Sequence, residues 1–165
     1  YFFWNNRNAK RKLSGSVLWW FNEFAEEVGP DNVCLVMHTN PKDKHGQDLL
    51  AMLADLDADD GRVRISRNIM TQQGLAALYN AMDCTINVSD AEGFGLATLE
   101  SLACGTPVIV NMTGGLQEQV TADGETFFGV GLEPVSKAII GSQQVPYIYE
   151  DRVSGEDLWN GTWQP

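Results

Sequence analysis

Two glutamates in an E-x7-E spacing, Glu92 and Glu100, flank a glycine loop in the run Asp90-Ala91-Glu92-Gly93-Phe94-Gly95-Leu96. A strand ending near Ser89 and a helix opening at about Gly95 would aim free backbone N–H groups, and the positive end of the helix dipole, at whatever lies over the loop. That geometry attracts a phosphate, and Gly93 and Gly95, lacking a Cβ, let a ligand come against the backbone. A lone GxG is equally an ordinary strand-to-helix turn, so the neighbouring side chains decide. Glu100 lies among Leu, Ala, Thr, Ser and Cys beside a stripe of Leu96, Leu99 and Ala103. A carboxylate bordering an apolar face needs a partner, because burying an unpaired charge is costly. A sugar hydroxyl would serve; a solvated helix edge is the alternative. Glu92 would be repelled by a phosphate and suits the neutral, hydroxylated part of a ligand. Its competing role is to stabilise the helix N-terminus by about 0.3–1 kcal/mol.

The cations Arg7, Lys10, Arg11 and Lys12 are the only charges in residues 1–22, whereas residues 23–165 hold seven cations against 22 acids. With a formal charge of −11, the chain would repel long DNA or RNA, which call for many phosphate contacts along a basic face, so nucleic acid is excluded as a partner. Arg offers a planar fork and Lys a mobile point charge, a suitable pair for a small diphosphate whose negative charge grows as it leaves. Thr113-Gly114-Gly115 forms a third glycine loop, where the Gly114 and Gly115 amides could cradle a ligand; a tight turn is the competing reading.

These residues need a frame. Short apolar runs at Phe2–Asn5, Val33–His38, Arg62–Ser66, Cys84–Val88 and Thr106–Val110 read as strands. Helical periodicity falls between them over Arg11–Val28, Gln47–Leu56, Gln72–Met82 and Gly95–Cys104. Strand alternating with helix implies an α/β, Rossmann-like, doubly wound parallel sheet, whose ligands sit outside the carboxyl ends of the strands. All the loops named above fall on that rim. The chain reads as a single domain over residues 1–165, with its core in 1–120 and an irregular, truncated tail in 121–165 that has one helical turn near Ser154–Trp159. No apolar run approaches the roughly 18–20 residues of a membrane span. Three scattered cysteines without a CxxC pair suit a reducing cytosol, so the expected location is cytoplasmic. A chain that opens on Tyr1, directly in a strand, reads as part of a longer one.

Other signals are set aside. The Asp55–Gly61 run imitates a calcium loop, but its glycine falls one place late and Ser66 stands where the terminal Glu is required. His38 and His45 have no third ligand nearby, and His38 suits a hydrogen-bonded structural role. Sequons at Asn87, Asn111 and Asn160 come without a secretory signal and read as chance matches.

Set in EGFGLATLESLACGTPVIVNMTGG and preceded by NNRNAKRK, the E-x7-E pair resembles the nucleotide-sugar signature of retaining GT-B glycosyltransferases, family 4 in particular. The likeness runs from about Tyr1 to Val120 and more weakly to Tyr149. It implies the C-terminal, donor-binding half of a GT-B fold, with the acceptor-binding N-terminal domain absent. By resemblance, Arg7 and Lys12 hold the diphosphate and stabilise it as leaving group, Glu92 contacts the transferred sugar, and Glu100 binds the ribose. Gly93, Phe94 and Gly95 give backbone contacts, and Ser89 and Leu96 at the ends of the loop complete the substrate contacts. Arg67, Asn68, Ile69 and Met70 would hold the nucleobase, on position alone. The implied partner is a UDP-, GDP- or ADP-sugar, with retention of anomeric configuration and no metal or other cofactor. Any membrane contact belongs to the absent domain, and the isolated chain should bind donor without transferring it. A non-catalytic nucleotide-binding module and a GT-B nucleotide-sugar epimerase are the alternative readings.

Overall fold

The computed structural model describes residues 1–162, with side chains to residue 160. Six parallel strands form one sheet: β1 (Phe2–Asn5), β2 (Leu35–His38), β3 (Val63–Ser66), β4 (Cys84–Asn87), β5 (Val108–Asn111) and β6 (Gly129–Leu132), in the order β3-β2-β1-β4-β5-β6. The helices are α1 (Ser14–Val28), α2 (Leu49–Asp55), α3 (Gln72–Asn80), α4 (Leu96–Ala103), α5 (Gly115–Val120) and α6 (Gly155–Thr162). Strands covered on both faces read as near-continuous apolar runs, and β1 shows why. Trp4 packs with Val17, Leu18 and Phe21 on one face, while Phe3 meets Val36 and Tyr79 on the other. Successive strand side chains point to opposite faces, so both must be covered. The order reverses between β1 and β4, which places the switch-point crevice outside those two strands.

The sequence reading of this frame needs four corrections. The first helix does not start at Arg11: a 3-10 turn at Lys10–Lys12 is followed by Leu13 in the left-handed region at φ 56°, and α1 begins at Ser14. The glycine loop read at Thr113-Gly114-Gly115 runs directly into the six-residue helix α5, which Gly115 opens and which is too short to show helical periodicity. The tail is more regular than its letters suggest. The GVG of FFGVG opens β6, paired in parallel with β5, and VPYIY runs into β8 (Ile148–Arg152), which pairs antiparallel with β7 (Ser136–Ile140) as a hairpin. Glycines weaken the strand pattern of β6, which long-range pairing with β5 supplies instead. The last helix α6 packs on α1, stacking Trp159 on Phe24 at 4.5 Å with Phe2 edge-on to both. Residues 163–165 lie outside the described residues.

In α4, the expected apolar stripe is not the buried face. Leu96 and Leu99 are exposed, while Thr98 and Ser101 are fully buried. Thr98 Oγ1 accepts from Asn87 Nδ2 at 2.9 Å, and Ser101 Oγ reaches Thr85 Oγ1 at 2.8 Å and the Thr106 carbonyl at 3.0 Å. Small hydroxyls let α4 approach the sheet and satisfy the buried polar groups of β4. Among the described residues no helix is long and apolar enough to cross a membrane.

The glycine loops after β4 and β5 are packed back to back. The Gly115 N–H donates to the Glu92 carbonyl at 3.1 Å, and a Cβ added at Gly114, where φ is +50°, would lie 1.9 Å from that same oxygen. Gly124 also has a positive φ, +77°, but nothing within 4 Å. Gly124→Ala should therefore cost only the left-handed backbone, about 1–2 kcal/mol. Gly114→Ala adds an overpacking cost of about 1–3 kcal/mol and should lower Tm by roughly twice as much. Thermal unfolding of the two variants side by side tests this; equal shifts would contradict the loop packing.

Candidate functional site

At the end of β1 the chain must turn sharply, and Asn8 fixes that turn. Its buried amide donates to the carbonyls of Gln47 at 2.7 Å and Pro41 at 3.3 Å, and its Oδ1 accepts from Ser14 Oγ at 2.5 Å. The 3-10 turn and left-handed Leu13 then direct Lys12 inward rather than along a solvent-facing helix. A non-glycine residue in that region costs about 1–2 kcal/mol, which the surrounding bonds offset.

Lys12 Nζ forms a buried ion pair with Glu92 Oε2. Arg11 Nη1 stands 3.6 Å from the same oxygen and donates to the Ala91 carbonyl at 2.7 Å. Burial, and then the Arg11 charge, push the Lys12 ammonium down to about 8. Arg7 is exposed and pairs with Asp43, Nε to Oδ2 at 2.8 Å and Nη2 to Oδ1 at 3.3 Å. Those bonds, with the His45 backbone N–H, draw the Asp43 carboxyl down to about 2. On the opposite lip, Glu100 Oε2 lies 3.0 Å from the Tyr79 hydroxyl.

One crevice of about 370 Å³ is lined by Asn5, Asn6, Arg7, Lys12, Glu92, Phe94, Gly95, Leu96, Ala97 and Glu100. Cations at the end of β1, an acid in the middle, the first turn of α4 and a second acid beyond it thus share one space. A small elongated ligand with an anionic centre and hydroxylated ends fits that sequence of groups.

Other expected contacts fall elsewhere. Ser89 is fully buried, donating its hydroxyl to Asn87 Oδ1 at 2.7 Å, and so does not reach the crevice. Gly93 is exposed in the loop but is not part of the lining. Gly114 and Gly115 do not line the crevice: both pack against the Glu92–Phe94 backbone, and the Gly115 amide is already bonded to the Glu92 carbonyl. Arg67, Asn68, Ile69 and Met70 form a surface loop ahead of α3 and none lines the crevice. His38 Nδ1 bonds Ser66 Oγ at 2.9 Å, a structural contact. The side chains of Asn87 and Asn111 are buried and bonded, which rules those sequons out as exposed acceptors.

Sequence reasoning missed Asn5, Asn6, Ala97 and Tyr79. The asparagines stand inside NNRNAKRK and could have been singled out from their place before Arg7; Tyr79 carries no local signal and reads as helix core. The reading also missed how the tail reaches the rim. In β8, the Asp151 N–H donates to the Asp90 carbonyl at 2.7 Å, and its carboxylate accepts from Thr113 Oγ1 at 2.8 Å. Asp90, buried beneath it, has its carboxyl pushed up to about 6 by burial and then by Glu150, against the pull of Arg152.

Residues 16–140 match the family described as glycosyl transferases group 1. A GDP-mannose-dependent alpha-(1-6)-phosphatidylinositol dimannoside mannosyltransferase of Mycobacterium tuberculosis is 33% identical over 96 residues, 58% of this chain and 25% of the relative. This chain therefore corresponds to only part of that protein's length. The solved C-terminal domain of the glycosyl transferase group 1 protein LpcC from Francisella tularensis has a TM-score of 0.64 at 24% identity, over 82% of this chain and 69% of that one. Anabaena HepE, solved with UDP and glucose, has a TM-score of 0.61 at 20% identity, over 81% of this chain and 34% of that one. The sheet order, the switch-point crevice and a family match over most of the chain lead to one conclusion: the chain belongs to the group 1 glycosyl transferases and has the fold of a GT-B C-terminal domain.

Proposed function

We propose that this chain is the donor-binding part of a retaining glycosyltransferase, which takes a sugar from a nucleoside-diphosphate sugar. The observation that carries the reading is the shared crevice, in which Arg7, Lys12, Glu92 and Glu100 face one another at the switch point. Arg7 and Lys12 hold the diphosphate and neutralise the charge it gains as the glycosidic bond breaks, an interaction strongest in the transition state. Glu92 accepts hydrogen bonds from hydroxyls of the transferred sugar, and Glu100 from those of the ribose. The first turn of α4 directs its dipole at the phosphates. The names of the Mycobacterium relative and the Anabaena structure, with GDP-mannose and UDP respectively, support a nucleotide-sugar donor. The matched 96 residues make up a quarter of the mannosyltransferase, and the reading assigns to this part of the fold the binding of donor rather than its transfer.

Glu92 and an anionic ligand compete for Lys12. A diphosphate draws the ammonium partly away from Glu92, and the fixed Arg11 keeps that carboxylate from being left without a cation. Charge-assisted hydrogen bonds are worth about 1.5–3 kcal/mol, so Arg7→Ala and Lys12→Met should each weaken UDP or GDP binding by roughly 10- to 100-fold. Uridine or guanosine binding should change little. Calorimetric titration of each variant checks this, and equal losses for nucleoside and diphosphate would sink the clamp.

The charged form of Lys12 is the one that binds phosphate, and with its ammonium pushed down to about 8 it loses its proton as pH rises through that value. Affinity for UDP-glucose or GDP-mannose, whose diphosphate stays ionised throughout, should be level from pH 6 to 7 and fall above pH 8 in the wild type. The Lys12→Met variant should be flat over the same range. Thermal-shift titration across pH measures both.

A further inference from the structure

We infer that Tyr79 is a positioning residue that fixes the Glu100 carboxylate for the ribose and thereby sets the preference for ribose over deoxyribose in the bound nucleotide. The inference rests on the donor-binding reading above. Tyr79 lies on α3, is fully buried, and is placed edge-on to Phe3 with ring centroids 5.0 Å apart. Its backbone carbonyl accepts from Thr106 Oγ1 at 2.8 Å, so the residue is held at both ends.

The phenol oxygen accepts from Asn5 Nδ2 at 2.8 Å, which turns its single proton towards α4. Two acceptors stand there, the Ala97 carbonyl and Glu100 Oε2, each at 3.0 Å. A bond to a carboxylate is the stronger of the two, because the acceptor is charged. Burial raises the phenol's pKa and the Glu100 charge raises it further, so the proton stays on the oxygen.

Glu100 needs such a partner. It borders two hollows, the main crevice and a second, more apolar one of about 240 Å³ between α3 and α4, lined in part by Leu75, Tyr79 and Ala103. An unanchored glutamate could orient towards either hollow and would lose rotamer entropy on gripping a ligand. Held at Oε2 by Tyr79, it offers Oε1 to ligand hydroxyls with that cost already met. Sites built to bond a hydroxyl reject analogues lacking it, because the buried acceptor is left without a donor.

The test is calorimetric titration of this chain with UDP, GDP, their 2′,3′-dideoxy forms and inorganic pyrophosphate. The wild type should prefer ribose by at least about tenfold. Tyr79→Phe, which removes one oxygen and keeps the ring, should narrow that ratio to roughly twofold and leave pyrophosphate binding unchanged. Tyr79→Phe with Glu100→Ala should be no worse than Glu100→Ala alone, since the tyrosine acts through the glutamate. A Tyr79→Phe variant that keeps the full ribose preference overturns the inference while leaving the donor-binding reading intact. Failure of the wild type to bind any nucleoside diphosphate overturns both. If Tyr79→Phe does not fold, the hydroxyl proton of Tyr79 in wild-type NMR spectra decides: it must shift with UDP or GDP and stay in place with pyrophosphate, and an unmoved proton in both overturns the inference.

Discussion

The buried pair of Lys12 and Glu92 is the constraint on which the site depends. It joins the connection after β1 to the loop after β4, across the point where the strand order reverses. Taking two charges out of water is expensive, and their mutual attraction offsets that cost only when other bonds hold the geometry. Those bonds are present. Arg11 stands against the same carboxylate, the Asp90 N–H donates to the Arg11 carbonyl at 2.9 Å, and Asn8 locks the preceding turn. The left-handed Leu13 follows from the same demand: a continuous helix from Arg11 would not turn the lysine under the loop.

From that pair the other features follow in layers. Glycines behind the loop allow the β5 connection to press against Glu92, so the acid is held from both sides. The hairpin of β7 and β8 then closes over the rim: Asp151 bridges the loops after β4 and β5, with Asn111 Nδ2 donating to its carbonyl at 2.5 Å. Residues far along the chain therefore support a crevice whose lining residues all lie before residue 101. The hairpin leaves Val135, Ile139, Val145, Tyr147 and Tyr149 exposed, with the two tyrosine rings in edge contact and Lys137 Nζ over Tyr149.

Legibility in the sequence followed the range of the interactions. Of the five strands in the first 111 residues, β1, β2, β4 and β5 were readable as short, mostly buried runs closed by a turn signal, and the edge strand β3, with Arg64 exposed, as an alternating one. β6 was not, since Gly129 and Gly131 dilute its pattern and its pairing with β5 is a long-range event. The face of α4 was misread for a related reason: periodicity picks out leucines, but the groups that fit against the polar ends of β4 are Thr98 and Ser101. For the site, residue type picked out the cations of residues 7–12 and the two acids, and the resemblance singled out Arg7 and Lys12 among the cations; these two, Glu92 and Glu100 line one crevice. The same reasoning assigned ligand contacts to Ser89 and Gly115, whose hydroxyl and amide are bonded within the protein itself.

The sequence by itself determined the alternation of strand and helix, the sign and location of the charge clusters, and the spacing of the two acids, because these are local properties of chain chemistry. Only the tertiary structure decided that Arg7 leans on Asp43 while Lys12 turns under to Glu92, and that a core tyrosine 21 residues away holds Glu100. Those outcomes depend on distances between segments that no local pattern encodes. They are set by how closely backbones approach, which here rests on glycines and small hydroxyls at the contacts between loops, helices and sheet.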